Sequence, residues 1–405
     1  MMVTSAERAS QPEKMSPNIF ISAGEASGEH YGALVVAALK KQLAAAGQTA
    51  SFFGMGGERM AAAGLECVVR SEEMAVMGLT EIVRHLPRIW REFRRLKQSV
   101  RARRPSVAVL IDFPEIHFRL AKELHRLGVP VVYFVSPQLW AWKKKRIRLV
   151  QKYIDRMLVI FPFEEPFYRE RGVQAEFVGH PLAELPLPDA SREYFAMCNY
   201  LQRDRTWIAL LPGSRAKEIQ DNLPTMLAAA RLMAERQPCN FMLPLAPTLT
   251  PDGRRMAFDL IRKHALGLEV RCTPGARDAL FYARASIVAS GTATVEAALM
   301  GNPFVVVYLV SALTYAIAKR LVKVPHVAMA NLIAGKRVVP ELIQSECTAA
   351  NIVRELEPLL PDGPPRQSMM EELARIRGLL NTRPADGGAI DRVAAITLET
   401  MRRES

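Results

Sequence analysis

Cysteine is scarce and scattered: five in 405 residues (Cys67, Cys198, Cys239, Cys272 and Cys347), an odd number with no Cys-x-x-Cys. That excludes a disulfide framework and a thiolate zinc site and points to a reducing compartment. There is no Asp-x-Asp, no His/Asp cluster at metal-ligand spacing and no GxxxxGKS or GxxxxGKT loop. No metal site, no cofactor and no P-loop chemistry are therefore expected. Long hydrophobic runs are also missing. The longest uncharged apolar stretch, Pro303 to Ala318, is shorter than the roughly 20 residues a spanning helix needs. It divides into a strand-like FVVVYLV and a helical LTYAIAKRLV. The opening MMVTSAERASQPEKMS has no apolar core of a signal peptide, so residues 1–16 read as a polar lead-in and a cytoplasmic protein is expected. Acidic residues are in deficit, 41 against 54 Lys and Arg for a net charge of +13, and residues 1–180 hold 27 basic and 18 acidic side chains. An anionic partner is expected on that front half.

What is present is a large apolar fraction, 49%, enough to bury a sizeable core in two domains. Short β-branched or aromatic runs alternate with helix-length amphipathic segments, the pattern of parallel α/β sheets. Six candidate strands lie at 18–23, 50–55, 107–112, 131–135, 157–161 and 175–179, and five more at 207–212, 240–245, 268–272, 286–290 and 304–308. Pro-rich PLAELPLPDA separates the two sets. The expected division is a domain over 17–180, a linker over 181–205, a second domain over 206–360 and a helical segment over 361–405 that packs back on the first domain. Each set opens with strand, glycine turn and helix, so two Rossmann-like units facing across a cleft are predicted, with ligands at the carboxyl ends of the strands.

The chemistry-bearing motifs all follow predicted strands. LLPGSRAKEI puts Gly213, Ser214 and Arg215 at a strand-to-helix turn, where backbone amides and a guanidinium suit a phosphate. SIVASGTATVEAALM places Ser290, Gly291 and Thr292 at the head of an uncharged helix whose only acid is Glu296. Small residues there admit a diphosphate, and a carboxylate one turn in suits ribose hydroxyls. With no metal site, helix dipoles and Arg215 must stabilise a departing nucleotide diphosphate. In the front half, ISAGEASGEHYGA supplies Glu25 and Ser27, a turn better suited to sugar hydroxyls than to phosphate. VAVLID ends in Asp112, a candidate general base, with Glu115 and His117 following. VSPQLWAW adds Gln138 to the acceptor side of the cleft, and six basic residues follow within 143–152.

MAVMGLTEIVRHLPRIWREFRRLKQSVRARR carries nine Lys or Arg from Arg84 to Arg104 against the single acid Glu92. Apolar Val76, Met77 and Leu79 sit beside Arg88, Arg91, Arg94 and Arg95. An apolar cluster next to strong basicity is how a protein rests on an anionic leaflet. A core-packed helix with a basic outer face accounts equally well for the apolar stripe.

Taken together, SAGEASGE, GMGGERM, MGLTEI, IDFPE, VSPQLWAW, FPFE, FVGHPL, LLPGSR, SGTATVE and NLIAGKRVVPELIQ, in order from about residue 20 to 345, resemble the lipid-A-disaccharide synthases of Gram-negative bacteria. The resemblance implies a two-domain GT-B glycosyltransferase, metal-independent and inverting. It would join UDP-2,3-diacylglucosamine to 2,3-diacylglucosamine 1-phosphate (lipid X), yielding a β-1,6-linked disaccharide 1-phosphate and UDP on the cytoplasmic face of the inner membrane. By motif match it makes Asp112 the base. It gives UDP to Ser214, Arg215, Ser290, Gly291, Thr292 and Glu296, with Asn331 in the loop that closes on the nucleotide, and puts Glu25 and Ser27 at the cleft. A homodimer stays open. Two rival readings remain: another GT-B enzyme such as a UDP-GlcNAc transferase or 2-epimerase, and a nucleic-acid-binding protein. No RNP, KH or helix-turn-helix pattern supports the latter, so no nucleic-acid partner is expected.

Overall fold

The computed structural model describes residues 16–74, 79–142, 144–311, 315, 324–381 and 387–403. Thirteen strands form two wholly parallel sheets. The first contains β1 (Asn18–Ala23), β2 (Ser51–Gly56), β3 (Glu66–Arg70), β4 (Val107–Ile111), β5 (Val131–Phe134), β6 (Arg156–Val159) and β7 (Ala175–Phe177), in the order β3-β2-β1-β4-β5-β6-β7. The second contains β8 (Thr206–Leu211), β9 (Cys239–Pro244), β10 (Val270–Thr273), β11 (Ala285–Ala289), β12 (Phe304–Tyr308) and β13 (Glu341–Ile343), in the order β10-β9-β8-β11-β12-β13. Both orders reverse beside the first strand of their half, β1 with β4 and β8 with β11. The crevice at such a reversal is where ligands bind in open α/β sheets.

Parallel strands must be covered on both faces, which is why these segments are apolar runs and not alternating ones. On β1, Ile19, Ile21 and Ala23 face a core shared with helices Ala26–Ala45 and Ala389–Arg402, whereas Phe20 faces Phe93, Leu96 and Leu120 on the opposite side. The second sheet is enclosed around Trp207, Phe241 and Phe304. Helix Pro364–Leu380 packs there, and helix Ala389–Arg402 returns to the first sheet. Gln42 Nε2 donates to the Asp391 carbonyl at 2.9 Å, and Arg392 pairs with Glu176. The chain thus crosses between sheets twice. Arg277 clasps the first crossing by donating to the carbonyls of Leu182, Leu185 and Pro186. Of the Pro303–Ala318 stretch, β12 is the strand expected; the helix expected after it falls almost wholly outside the described residues. No described helix is long and apolar enough to cross a membrane.

Candidate active site

Asp112 stands one residue past the end of β4, its amide donating to the Phe134 carbonyl at 2.9 Å and so continuing the ladder toward β5. Burial pushes its carboxyl up to about 7; the negative charge of Glu25 adds to this, and a hydrogen bond from the Phe113 amide opposes it. A carboxyl poised there is half deprotonated near neutral pH, which is what a general base requires. Glu25 reaches it because of Gly24: a Cβ at Gly24 would lie 2.2 Å from the Phe113 ring. Only glycine lets the turn after β1 settle against the residue after Asp112. Ser27 is exposed in the first turn of helix Ala26–Ala45. Glu115 is tied to Arg146 at 2.5 Å, and Gln138 is exposed in a turn whose carbonyl accepts from the Ala141 and Trp142 amides.

The second half meets this edge from across the cleft. Arg215 Nη2 lies 4.0 Å from Glu25 Oε2. Tyr31 has its phenol raised by burial and then by the charges of both Glu296 and Asp112, one carboxylate from each half. Burial raises Glu296, and Arg277 opposes the rise. Gly291 begins helix Thr292–Leu299 at φ +144, and no neighbouring atom lies within 4 Å of where its Cβ would be. Gly291 and Thr292 are exposed, and the cap residue has no side chain to satisfy the first amides. Ser290 is turned aside, its hydroxyl donating to the Val327 carbonyl at 3.2 Å.

At two of the expected donor-side positions the polar groups are engaged within the chain. The amides of Ser214 and Arg215 are already occupied: Glu218 Oε2 accepts from them at 2.9 and 3.2 Å. A phosphate could use that cradle only by displacing Glu218, so the exposed guanidinium of Arg215 is what this turn offers. Asn331 is fully enclosed. Its Oδ1 accepts from the Val338 and Val339 amides, and its Nδ2 donates to the Val339 carbonyl and to Glu341. That uses an amide's four hydrogen bonds, so Asn331 here holds the loop that runs from helix Met329–Ala334 to β13. Sequence reasoning also missed Tyr31, Glu218, Arg277 and Glu164. The last is a buried carboxyl, pushed up to about 7 chiefly by burial, that accepts from Ser136, Trp140 and the Phe161 amide. It holds the VSPQLWAW loop together.

Along helix Leu79–Arg103, the apolar residues Phe93, Leu96 and Val100 are core, as the plainer reading had it. Arg91 and Arg95 are exposed yet both pair with buried Glu92 at 2.9 Å. Arg88 and Arg94 are exposed, as is Trp90 at 52%. Val76 and Met77 lie outside the described residues, and so does the side chain of Leu79. No group of three or more His, Cys, Asp or Glu among the described residues could hold a metal ion.

Residues 19–383 match the family model described as lipid-A-disaccharide synthetase. A protein of Acidobacterium capsulatum named lipid-A-disaccharide synthase is 55% identical over 399 residues, covering 96% of this chain and 98% of the relative. The chain belongs to the lipid-A-disaccharide synthase family. It is a glycosyltransferase of lipid A biosynthesis, using a nucleotide-sugar donor and a separate acceptor. Solved structures agree at the level of fold. CalG4, the calicheamicin glycosyltransferase, superposes with a TM-score of 0.59 at 18% identity over 96% of this chain and 99% of its own. The UDP-GlcNAc 2-epimerase of Neisseria meningitidis, bound to UDP-GlcNAc, gives 0.60 at 12% over 96% and 100%. The architecture is GT-B, and family membership separates this chain from the epimerases and from nucleic-acid-binding proteins.

Proposed function

We propose that this enzyme transfers 2,3-diacylglucosamine from UDP to the 6-hydroxyl of 2,3-diacylglucosamine 1-phosphate with inversion at the anomeric carbon. The observation that carries the mechanism is the place of Asp112 just past β4, beside the Glu25 carboxylate that Arg215 approaches from the other half. The acceptor hydroxyl gives its proton to the Asp112 carboxylate as its oxygen attacks the anomeric carbon. The bond from that carbon to the diphosphate breaks on the opposite face, and UDP leaves with the electron pair. Arg215 and the open amides at the head of helix Thr292–Leu299 take up the charge on the diphosphate. Glu296 accepts from the ribose hydroxyls, and Glu25, Ser27, Glu115 and Gln138 line the sugar side. The half built on β1–β7 binds acceptor and the half built on β8–β13 binds donor. The test is the pH dependence of kcat/KM: a base with a raised pKa must be deprotonated, so the rate should fall on acidification through about pH 7. An acid limb near 4, the ordinary carboxylate value, would remove Asp112 from the role.

The basic front half suits two anionic lipids and an anionic leaflet, so we propose peripheral attachment to the cytoplasmic face of the inner membrane through helix Leu79–Arg103. Because Arg91 and Arg95 neutralise buried Glu92, replacing them would also damage the fold. Arg94→Ser on the same exposed face leaves the Glu92 pairs in place. At about 1 kcal/mol per basic residue, this variant should bind anionic vesicles roughly fivefold more weakly, with a smaller salt dependence. Unchanged vesicle binding would leave that face merely solvated.

A further inference from the structure

His117 is a motif residue without a task in the reaction, and its ring is fully enclosed. The backbone beside it is strained. Asp112 at φ +50 and Phe113 at φ +51 are successive non-glycine residues in the left-handed region, a conformation that persists only where its surroundings impose it. Two buried side chains converge on the Asp112 carbonyl oxygen, Tyr133 Oη at 2.6 Å and His117 Nδ1 at 2.5 Å. A carbonyl can only accept, so both donate. Nδ1 therefore carries the proton, and Nε2 keeps a lone pair that accepts from the Ser22 hydroxyl at 2.8 Å. Burial depresses the imidazole to about 4, so it stays neutral at physiological pH. Both ring nitrogens are engaged, which leaves His117 no free position from which to exchange a proton with substrate. The network ties β1 through Ser22, β5 through Tyr133 and helix Pro114–Arg126 through His117 to one carbonyl.

We infer that His117, as the neutral Nδ1–H tautomer backed by Ser22, acts with Tyr133 as a positioning residue that holds the Asp112 backbone left-handed and so keeps its carboxylate at the cleft. This rests on Asp112 being the base. The titratable groups facing that carboxyl are Glu25 from the turn after β1, Tyr31 from helix Ala26–Ala45 and Tyr133 from β5. Arg215 approaches from the other half through Glu25. Freed from its clamp, the carboxyl would gain water and titrate closer to an ordinary carboxylate.

The experiment compares His117→Leu, His117→Asn and Tyr133→Phe in the full chain, measuring kcat, donor KM, UDP affinity and the acid limb of kcat/KM. Leucine abolishes the donor, asparagine restores one near Nδ1, and phenylalanine removes a single hydroxyl. The leucine and phenylalanine variants should lower kcat by about tenfold or more, as misplacement of a reacting group does. UDP affinity should be unchanged and the acid limb should move to lower pH. The asparagine variant should recover most of the rate. Parental kcat and acid limb in folded His117→Leu or Tyr133→Phe would overturn the inference, as would an asparagine variant no better than leucine. Should the leucine variant not fold, Tyr133→Phe decides by the same criteria. Asp112→Asn assayed alongside separates failures: if it retains turnover, the assignment of the base is wrong whatever the His117 variants do.

Discussion

Asp112→Asn should lower turnover by about 10²–10⁴-fold, the range that general base catalysis supplies, while UDP binding stays intact. Asparagine matches the carboxylate in size and tolerates the left-handed backbone better than most residues, so the Tyr133 and His117 donors would still find the same carbonyl. It cannot accept the acceptor proton. Removal of a buried negative charge beside Glu25 relieves repulsion, so the variant should be no less stable than the parent. Loss of rate without loss of fold is therefore the expected signature, read from kcat beside calorimetric UDP binding and a melting curve. Near-parental turnover would exclude Asp112 as base.

Arg215→Ala should have the second largest effect, about 10²–10³-fold in kcat, as removal of a preorganised charge-stabilising donor does, with weaker UDP binding. The reason lies in the occupied cradle: with Glu218 on the Ser214 and Arg215 amides, the guanidinium is the principal group this turn can offer a diphosphate. Arg215 is well exposed, and its contact with Glu25 is a loose 4.0 Å. The fold should therefore not depend on it. EDTA should leave the parental rate unchanged; inhibition by EDTA that Mg²⁺ reverses would contradict a leaving group stabilised by Arg215 and helix amides alone.

Central strands were legible because burial on both faces demands uninterrupted apolar runs, and VAVLI or FVVVY admits little else. Each of the eleven expected strands has its counterpart, with no end displaced by more than two residues. The two missed, β3 and β13, are edges: ECVVR is largely half-exposed, and ELI is three residues long. Neither carries an apolar run to announce it. Motif positions were legible for a related reason, since residues placed just after a buried strand must emerge at its carboxyl edge. Their hydrogen bonds were not. Glu218 four residues past Ser214 reads as an ordinary first-turn acid, yet it fills the cradle. Asn331 looks available until the Val338–Glu341 loop folds over it. Ser22 and His117 are 95 residues apart, and nothing local signals that they meet, or that Asp112 is left-handed. Helix Leu79–Arg103 shows the same limit. Its apolar stripe was visible, but the two readings of it predict the same residue spacing, and it takes the burial of Phe93 and Leu96 to assign that part of the stripe to the core.

The most direct test of the account is incubation of the purified enzyme with UDP-2,3-diacylglucosamine and 2,3-diacylglucosamine 1-phosphate, with mass detection of products and NMR of the new glycosidic linkage. The account predicts a tetraacyl disaccharide 1-phosphate, one equivalent of UDP and a β-1,6 linkage. An α linkage would contradict inversion, and UDP release without a disaccharide would contradict transfer to this acceptor.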